Sequence, residues 1–207
     1  AFGCYFRNLF LDLSCKSAFG NVAKMERKDK TGKTEKIIIK RIVVGPIETN
    51  CYLVADSRTK EAVIIDPGDE PGKIFNTIKE NGLKPKFILL THEHFDHTGA
   101  LEAVSKFFNI KRRKVKDGDE IKIGNLNIKI IATSGHTPES ICFVVGDPAD
   151  GGAGNIFSGD TLFYRGIGRT DLRGGDFGQI QKSLKRLMEF PDNFKVWPGH
   201  GQETTIG

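Results

Sequence analysis

The sequence predicts an α+β domain whose strands end in potential metal ligands, and three observations carry that expectation. Short apolar or alternating runs bounded by Gly, Pro and Asn recur along the chain, and longer stretches show helical spacing. All five histidines of the 207 residues stand just beyond strand-like runs.

Residues 37–44, 50–55 and 62–66 read as strands. A helix follows over 71–81, with Asn81-Gly82 as its stop. Lys86-Phe87-Ile88-Leu89-Leu90 is a short apolar run after Pro85, so it reads as a buried strand. From Thr98 the chain turns helical, with Leu101, Val104 and Phe108 on one face. Glu120–Ile123 and Leu126–Ile130 alternate on either side of Gly124-Asn125, the pattern of a hairpin. Ile156-Phe157 and Lys195-Val196-Trp197 are further β-rich runs, and Asp176 opens a helix whose Ile180, Leu184, Leu187 and Met188 share a face.

The histidines lie in Thr91-His92-Glu93-His94-Phe95-Asp96-His97-Thr98-Gly99, Ser134-Gly135-His136-Thr137-Pro138 and Pro198-Gly199-His200-Gly201. In extended backbone, side chains two apart project to the same side, so His92, His94 and Asp96 converge while Glu93 and Phe95 face away. His97 sits at the strand-to-helix turn and aims at a second ion. Asp160, in Phe157-Ser158-Gly159-Asp160-Thr161, adds a carboxylate that completes a set for two cations. Any one of these residues alone is an ordinary polar side chain; together, each beside a turn, they point to metal-assisted hydrolysis. Imidazole and carboxylate donors suit zinc, the first expectation, and also iron and manganese.

These segments, in this order, resemble the metallo-β-lactamase-fold hydrolases, and within them the glyoxalase II-like group. The resemblance runs from about Ile37 to Gly207 and includes Thr49-Asn50-Cys51-Tyr52-Leu53, Ile65-Asp66-Pro67-Gly68, Gly159-Asp160-Thr161-Leu162-Phe163 and Gly166-Ile167-Gly168-Arg169-Thr170-Asp171. It implies a four-layer αββα fold, two mixed β-sheets face to face with helices outside. It implies that His92, His94 and His136 hold one divalent ion, that Asp96, His97 and His200 hold the other, and that Asp160 bridges them. A bridging hydroxide then attacks a thioester carbonyl of the hydroxyacylglutathione type, with Asp96 accepting its hydrogen bond. Tyr164, Arg165 and Arg169 follow the bridging aspartate and could reach an anionic substrate tail.

Three departures from the group are visible, one of them Glu139, which stands where the group often has glycine after His-Thr-Pro. The chain stops soon after His200, without the C-terminal helical region that helps the group grip glutathione, so small thioesters are expected as substrates with little dependence on glutathione. Only Asn109–Lys116 connects Phe108 to Asp117, where relatives commonly have another strand and helix. That leaves the edge beside Lys86–Leu90 open, and the expectation is either a chain break near Ile110–Arg113 or an edge covered by a partner subunit.

Other activities compete. Persulfide dioxygenases resemble a one-iron site on positions matching His92, His136 and Asp160. Ribonuclease Z-like phosphodiester cleavage is permitted by the basic charge, and a metal-stabilised binding module without catalysis is a fourth reading. The net charge of +5 sits largely in Lys24–Lys40 and Lys111–Lys116, as solvated runs without the interleaved aromatics of a nucleic-acid platform. No nucleic-acid partner is therefore expected, nor a membrane one, since no apolar run is long enough to span a bilayer. Cys51 and Cys142 read as small buried hydrophobes, which favours a reducing compartment and a cytoplasmic location. A homo-oligomer fits the open edge.

Residues 37–207 form the expected hydrolase domain. Residues 1–36 read as an extension and polar linker without function, in which Phe2, Phe6, Leu9, Phe10 and Leu13 have helical spacing and Met25 could be the domain's start. Removal of residues 1–24 is expected to spare turnover.

Overall fold

A computed structural model describes residues 23–28, 34–146 and 154–207. The first sheet has the order β1-β2-β3-β4-β5, from β1 (Ala23–Lys28), β2 (Thr34–Val44), β3 (Thr49–Asp56), β4 (Glu61–Ile65) and β5 (Lys84–Leu89). The second has the order β13-β12-β9-β8-β7-β6, from β6 (Glu120–Ile123), β7 (Leu126–Ala132), β8 (Ile141–Val145), β9 (Asn155–Gly159), β12 (Lys195–Pro198) and β13 (Thr204–Thr205). A small hairpin, β10 (Leu162–Phe163) with β11 (Gly166–Ile167), projects between them in sequence. Both sheets are mixed: β4 with β5 and β9 with β12 are parallel, the other neighbours antiparallel. Four helices lie among the described residues: α1 (Pro71–Glu80), α2 (Phe95–Thr98), α3 (Leu101–Phe108) and α4 (Phe177–Leu187).

Period-two alternation assigns each strand face to a layer. Tyr52 and Val54 of β3 and Val63 and Ile65 of β4 pack against Ile128, Phe143, Phe157 and Trp197 of the second sheet. The alternate residues, Leu53, Ala55 and Ile64, meet Ile74 and Ile78 of α1 and Val104 of α3. On the far side Cys142, Val144 and Ile156 meet Leu187 of α4 and Phe194. Strands apolar on both faces are therefore interior to four layers, with helices outside both sheets. Cys51 and Cys142 are free and buried.

α1 begins with Pro71 at its first position, where the missing N–H costs nothing, and unwinds through Asn81 and Gly82, the latter at φ 60°. α4 is capped by Asp176, which accepts from the Gln179 N–H at 2.8 Å. Its inner face uses Ile180, Ser183 and Leu187; Met188, expected on that face, is 73% exposed because the helix ends there.

The stretch from Lys24, expected as a linker, contributes β1, paired antiparallel with β2 from Ala23↔Ile39 to Lys28↔Thr34, with Met25 inside the strand. Alternating charges had hidden it. The helical spacing of Phe2 to Leu13 lies outside the described residues. The short connection after α3 also differs from expectation: the chain runs on without a break and its own residues meet the edge. Ile88 donates to Lys111 O at 3.1 Å and Arg113 donates to Ile88 O at 2.8 Å, a parallel bridge that satisfies edge groups of β5.

Asp56 links the two sheets. It accepts from the N–H groups of Arg58, Thr59 and Asn125 at 2.7, 3.0 and 2.6 Å and from Asn125 Nδ2 at 2.8 Å, tying the β3–β4 turn to the β6–β7 turn. Burial pushes its pKa up, but these donors outweigh that and hold the carboxyl below its ordinary value. A depressed folded pKa contributes stability above the unfolded value, about 3.9, which is lost as pH falls through the folded one. Asp56→Ala should therefore lower stability by about 1–3 kcal/mol near neutrality. Its deficit in thermal unfolding should shrink as the medium is acidified below the unfolded pKa; a deficit independent of pH would contradict this.

Candidate metal centre

The C-terminal ends of β4, β5, β9 and β12 and the turn between β7 and β8 meet at one edge of the sandwich. His92 and His94 follow β5 on extended backbone, with His94 capping α2 at φ −64° and ψ 148°. The extended stretch stops there. Asp96 and His97, expected respectively in extended backbone and at the turn into a helix from Thr98, both lie on α2, whose tight turn carries adjacent residues to the same centre. Glu93 and Phe95 are not among the converging donors: Glu93 pairs with Arg112 and Phe95 is 74% exposed.

Donor atoms of His92, His94 and His136 lie within 4.8 Å of one another, and so do those of Asp96, His97 and His200. Nδ1 of His94 stands 3.0 Å from Nε2 of both His92 and His136. Nε2 of His200 is 3.2 Å from Asp96 Oδ2, and Nε2 of His97 is 3.5 Å from the same oxygen. Asp160 reaches both groups: Oδ1 is 3.4 Å from His97, and Oδ2 is 3.6 Å from His136 and 3.6 Å from His200. Donors facing one another across such gaps leave room for cations between them.

A polar atom buried without a partner is costly, and the described residues hold few: His97 Nε2 and Asp160 Oδ1 are two of them, both aimed into this centre. A cation removes that cost, so the residues fit divalent metals. His92 and His94 are kept neutral, as ligation requires, while a cation bound at His97 would have to displace its proton. Burial, with His97 close by, pulls His92 down to about 2, and burial with His136 lowers His94. Burial would raise Asp160 and Asp96, but His97 next to Asp160, and His200 and His97 next to Asp96, outweigh it and keep both carboxylates ionised. Burial pulls His97 down too, yet Asp66 and Asp160 overcome it and hold it up at about 10. The carboxylates thus set a negative field that attracts cations.

The donor side chains are aimed by groups behind them. Nδ1 of His136 bonds Arg169 O at 2.8 Å, Nδ1 of His200 bonds Ile47 O at 3.1 Å, and Nδ1 of His97 meets Asp66 Oδ2 at 3.0 Å, which leaves each Nε2 for the centre. Asp66 is fixed in turn by the Thr91 N–H at 2.7 Å and Oγ1 at 2.6 Å. Thr49 Oγ1 donates to Asp96 Oδ2 at 3.0 Å. The turn carrying His200 is held by Asn50, whose N–H reaches Gly199 O at 2.7 Å and whose Nδ2 reaches Pro198 O and Gly201 O at 2.9 Å each, and by Tyr52 Oη on Pro198 O at 2.7 Å. Sequence reasoning assigned no role to Asp66, Thr49 or Asn50; the signal available was a buried polar residue at each end of an apolar strand.

Tyr164 and Arg165 form the turn of the β10–β11 hairpin, Tyr164 at 44% exposure with the Arg165 guanidinium 5.2 Å from its ring. The Arg169 side chain is engaged by Asp171 through bonds of 3.0 and 2.8 Å, so what it presents to the centre is its carbonyl. Gly199 is required by close approach: a Cβ there would overlap Asp160 Oδ1 and come within 2.8 Å of His97 Cε1. Gly199→Ala should therefore displace two ligands and lower metal affinity about 10–100-fold, the range for disturbed ligand orientation, in a metal titration. An unchanged titration would disprove the contact.

A histidine–aspartate centre at the edge of an αββα sandwich is the arrangement of a metallo-hydrolase. The chain belongs to the Metallo-beta-lactamase superfamily, whose profile matches residues 44–122 and 112–200. It is 36% identical to the probable metallo-hydrolase YqgX of Bacillus subtilis, covering 81% of this chain and 92% of the relative, and 31% identical to the hydroxyacylglutathione hydrolase GloC of Haemophilus influenzae, covering 82% and 93%. Among solved structures it resembles ETHE1 from Myxococcus xanthus (TM-score 0.74, 32% identity, 82% of this chain and 80% of that one) and TTHA1623 in a di-iron-bound form (TM-score 0.71, 32% identity, 81% and 95%). The two matched stretches overlap at 112–122, just where the connection after α3 is short. No helix among the described residues is long and apolar enough to cross a membrane.

Proposed function

We propose that this protein hydrolyses thioesters of the hydroxyacylglutathione type at two divalent cations, zinc first and iron or manganese as alternatives. The observation that carries the reading is Asp160, whose two oxygens lie 3.4–3.6 Å from His97, His136 and His200 and so reach both ligand groups. His92, His94 and His136 would hold one ion, and Asp96, His97 and His200 the other. Divalent cations held there would lower the pKa of water to near neutrality and polarise a substrate carbonyl. Asp96, oriented by Thr49, takes the hydrogen bond of the attacking nucleophile. Arg165, on its exposed hairpin with Tyr164, is the cation we assign to an anionic tail, whereas Arg169 is committed to Asp171. The likeness to the Haemophilus relative supports the substrate class.

A one-iron dioxygenase on His92, His136 and Asp160 is the second reading, because two imidazoles and a carboxylate suit iron chemistry with oxygen. It leaves His97 Nε2 buried without a partner. Elemental analysis with turnover on a thioester divides the two: about two ions per chain with hydrolysis is expected. A single iron with oxygen consumption on a persulfide would overturn the proposal.

A further inference from the structure

We propose that the hollow between residues 45–48 and α2 is an acyl pocket beside the centre, shaped for an unbranched apolar chain of several carbons. The inference rests on the thioester reading and narrows its substrate. The cavity, about 200 Å³, is lined by Val44, Pro46, Ile47 and Phe95 and reaches Thr49 and Asp96. Asp96 thus belongs to both pocket and centre, so the hollow adjoins the place where the proposed substrate's carbonyl would sit.

Its chemistry selects the occupant. The glycines in its wall, Gly45, Gly68 and Gly99, add no polar side chain, and the carboxylates of Asp69 and Asp96 would repel an acidic tail. Among the described residues, no lysine or arginine lines it. At about 200 Å³ the hollow suits a short acyl group and lies below the ~300–1,000 Å³ typical of pockets for drug-sized ligands. Ile47 and Phe95 are 48% and 74% exposed, apolar surface that a chain would cover. The wall is preformed: the Gly45 N–H bonds Glu70 Oε2 at 3.0 Å, the Glu48 N–H bonds Gly45 O at 3.2 Å, and Ile47 O meets His200.

The test uses the full chain reconstituted with zinc and thioesters of one thiol with acetyl, butanoyl and hexanoyl groups. Selectivity should rise roughly fourfold per buried methylene, the transfer preference of a CH₂ group. Ile47→Asp should bring the hexanoyl-to-acetyl ratio of kcat/KM close to one, and Ile47→Leu should restore it. Phe95→Ser, at a surface position, provides the same reading should Ile47→Asp not fold. Calorimetric binding of hexanoate against acetate repeats the comparison without turnover. Hexanoate preference with no thioester hydrolysis would leave the pocket standing and remove the thioester reading. A flat chain-length profile, equal binding of the two carboxylates, or an unchanged ratio in the variants would overturn the pocket.

Discussion

Asp160→Ala should empty both halves of the centre and reduce turnover by about a thousandfold or more. Its carboxylate lies within 3.6 Å of histidines from both ligand sets, and it is held ionised mainly by His97. Without it the opposed imidazoles lose the negative charge that draws cations between them, and Lewis-acid assistance worth several kcal/mol goes with them, at 1.36 kcal/mol per tenfold in rate. His94→Ala should act on a smaller scale in structure, removing the donor that lies 3.0 Å from both His92 and His136 and hence the ion of that trio. Metal content by elemental analysis and circular dichroism on the same samples check this. A folded Asp160→Ala protein that keeps two ions and its activity would sink the bridging role.

Asp66→Asn is the second large effect, and it acts without touching a cation. Asp66 is 1% exposed, accepts from Thr91 through both oxygens and faces Nδ1 of His97 at 3.0 Å. An amide has one acceptor oxygen where the carboxylate has two, so it must turn its NH₂ toward either the Thr91 donors or the His97 ring. Metal affinity or activity should fall about 10–100-fold, the usual cost of losing the group that orients a ligating histidine. The backbone is no confounder, because Asp66 sits at φ 51° and asparagine tolerates that left-handed conformation. Titration should show the weaker binding in the Asp96–His97–His200 set while the His92–His94–His136 set keeps its affinity. Equal loss at both would mean that Asp66 supports the fold and not the ligand.

Much of this was legible along the chain, for a local reason. Hydrophobic alternation and helical spacing are properties of neighbouring residues, so β3, β4, β5, the β6–β7 hairpin, α1 and α4 were visible where they stand. The donors were visible because every histidine stood beside a turn and none was left for another role. β1 was not, because its mixed charges carry no periodic signal and only pairing with β2 defines it. Nor was α2, four residues whose helical turn replaces the extended path expected through Asp96.

By itself, then, the sequence determined the α+β class, the residue types of the centre and the order in which they are delivered, since these depend on local pattern and on the chemistry of imidazole and carboxylate. Which donors converge, what stands behind each of them and where a hollow adjoins them were decided only by the tertiary structure. Asp160 meets His97 because β9 and β5 end at the same edge of two packed sheets, Asp66 meets His97 because β4 lies parallel to β5, and Ile47 meets His200 because the 45–48 turn folds over the end of β12. Each is a contact between residues distant in the chain, set by sheet order and layer packing, and no spacing along one strand encodes it.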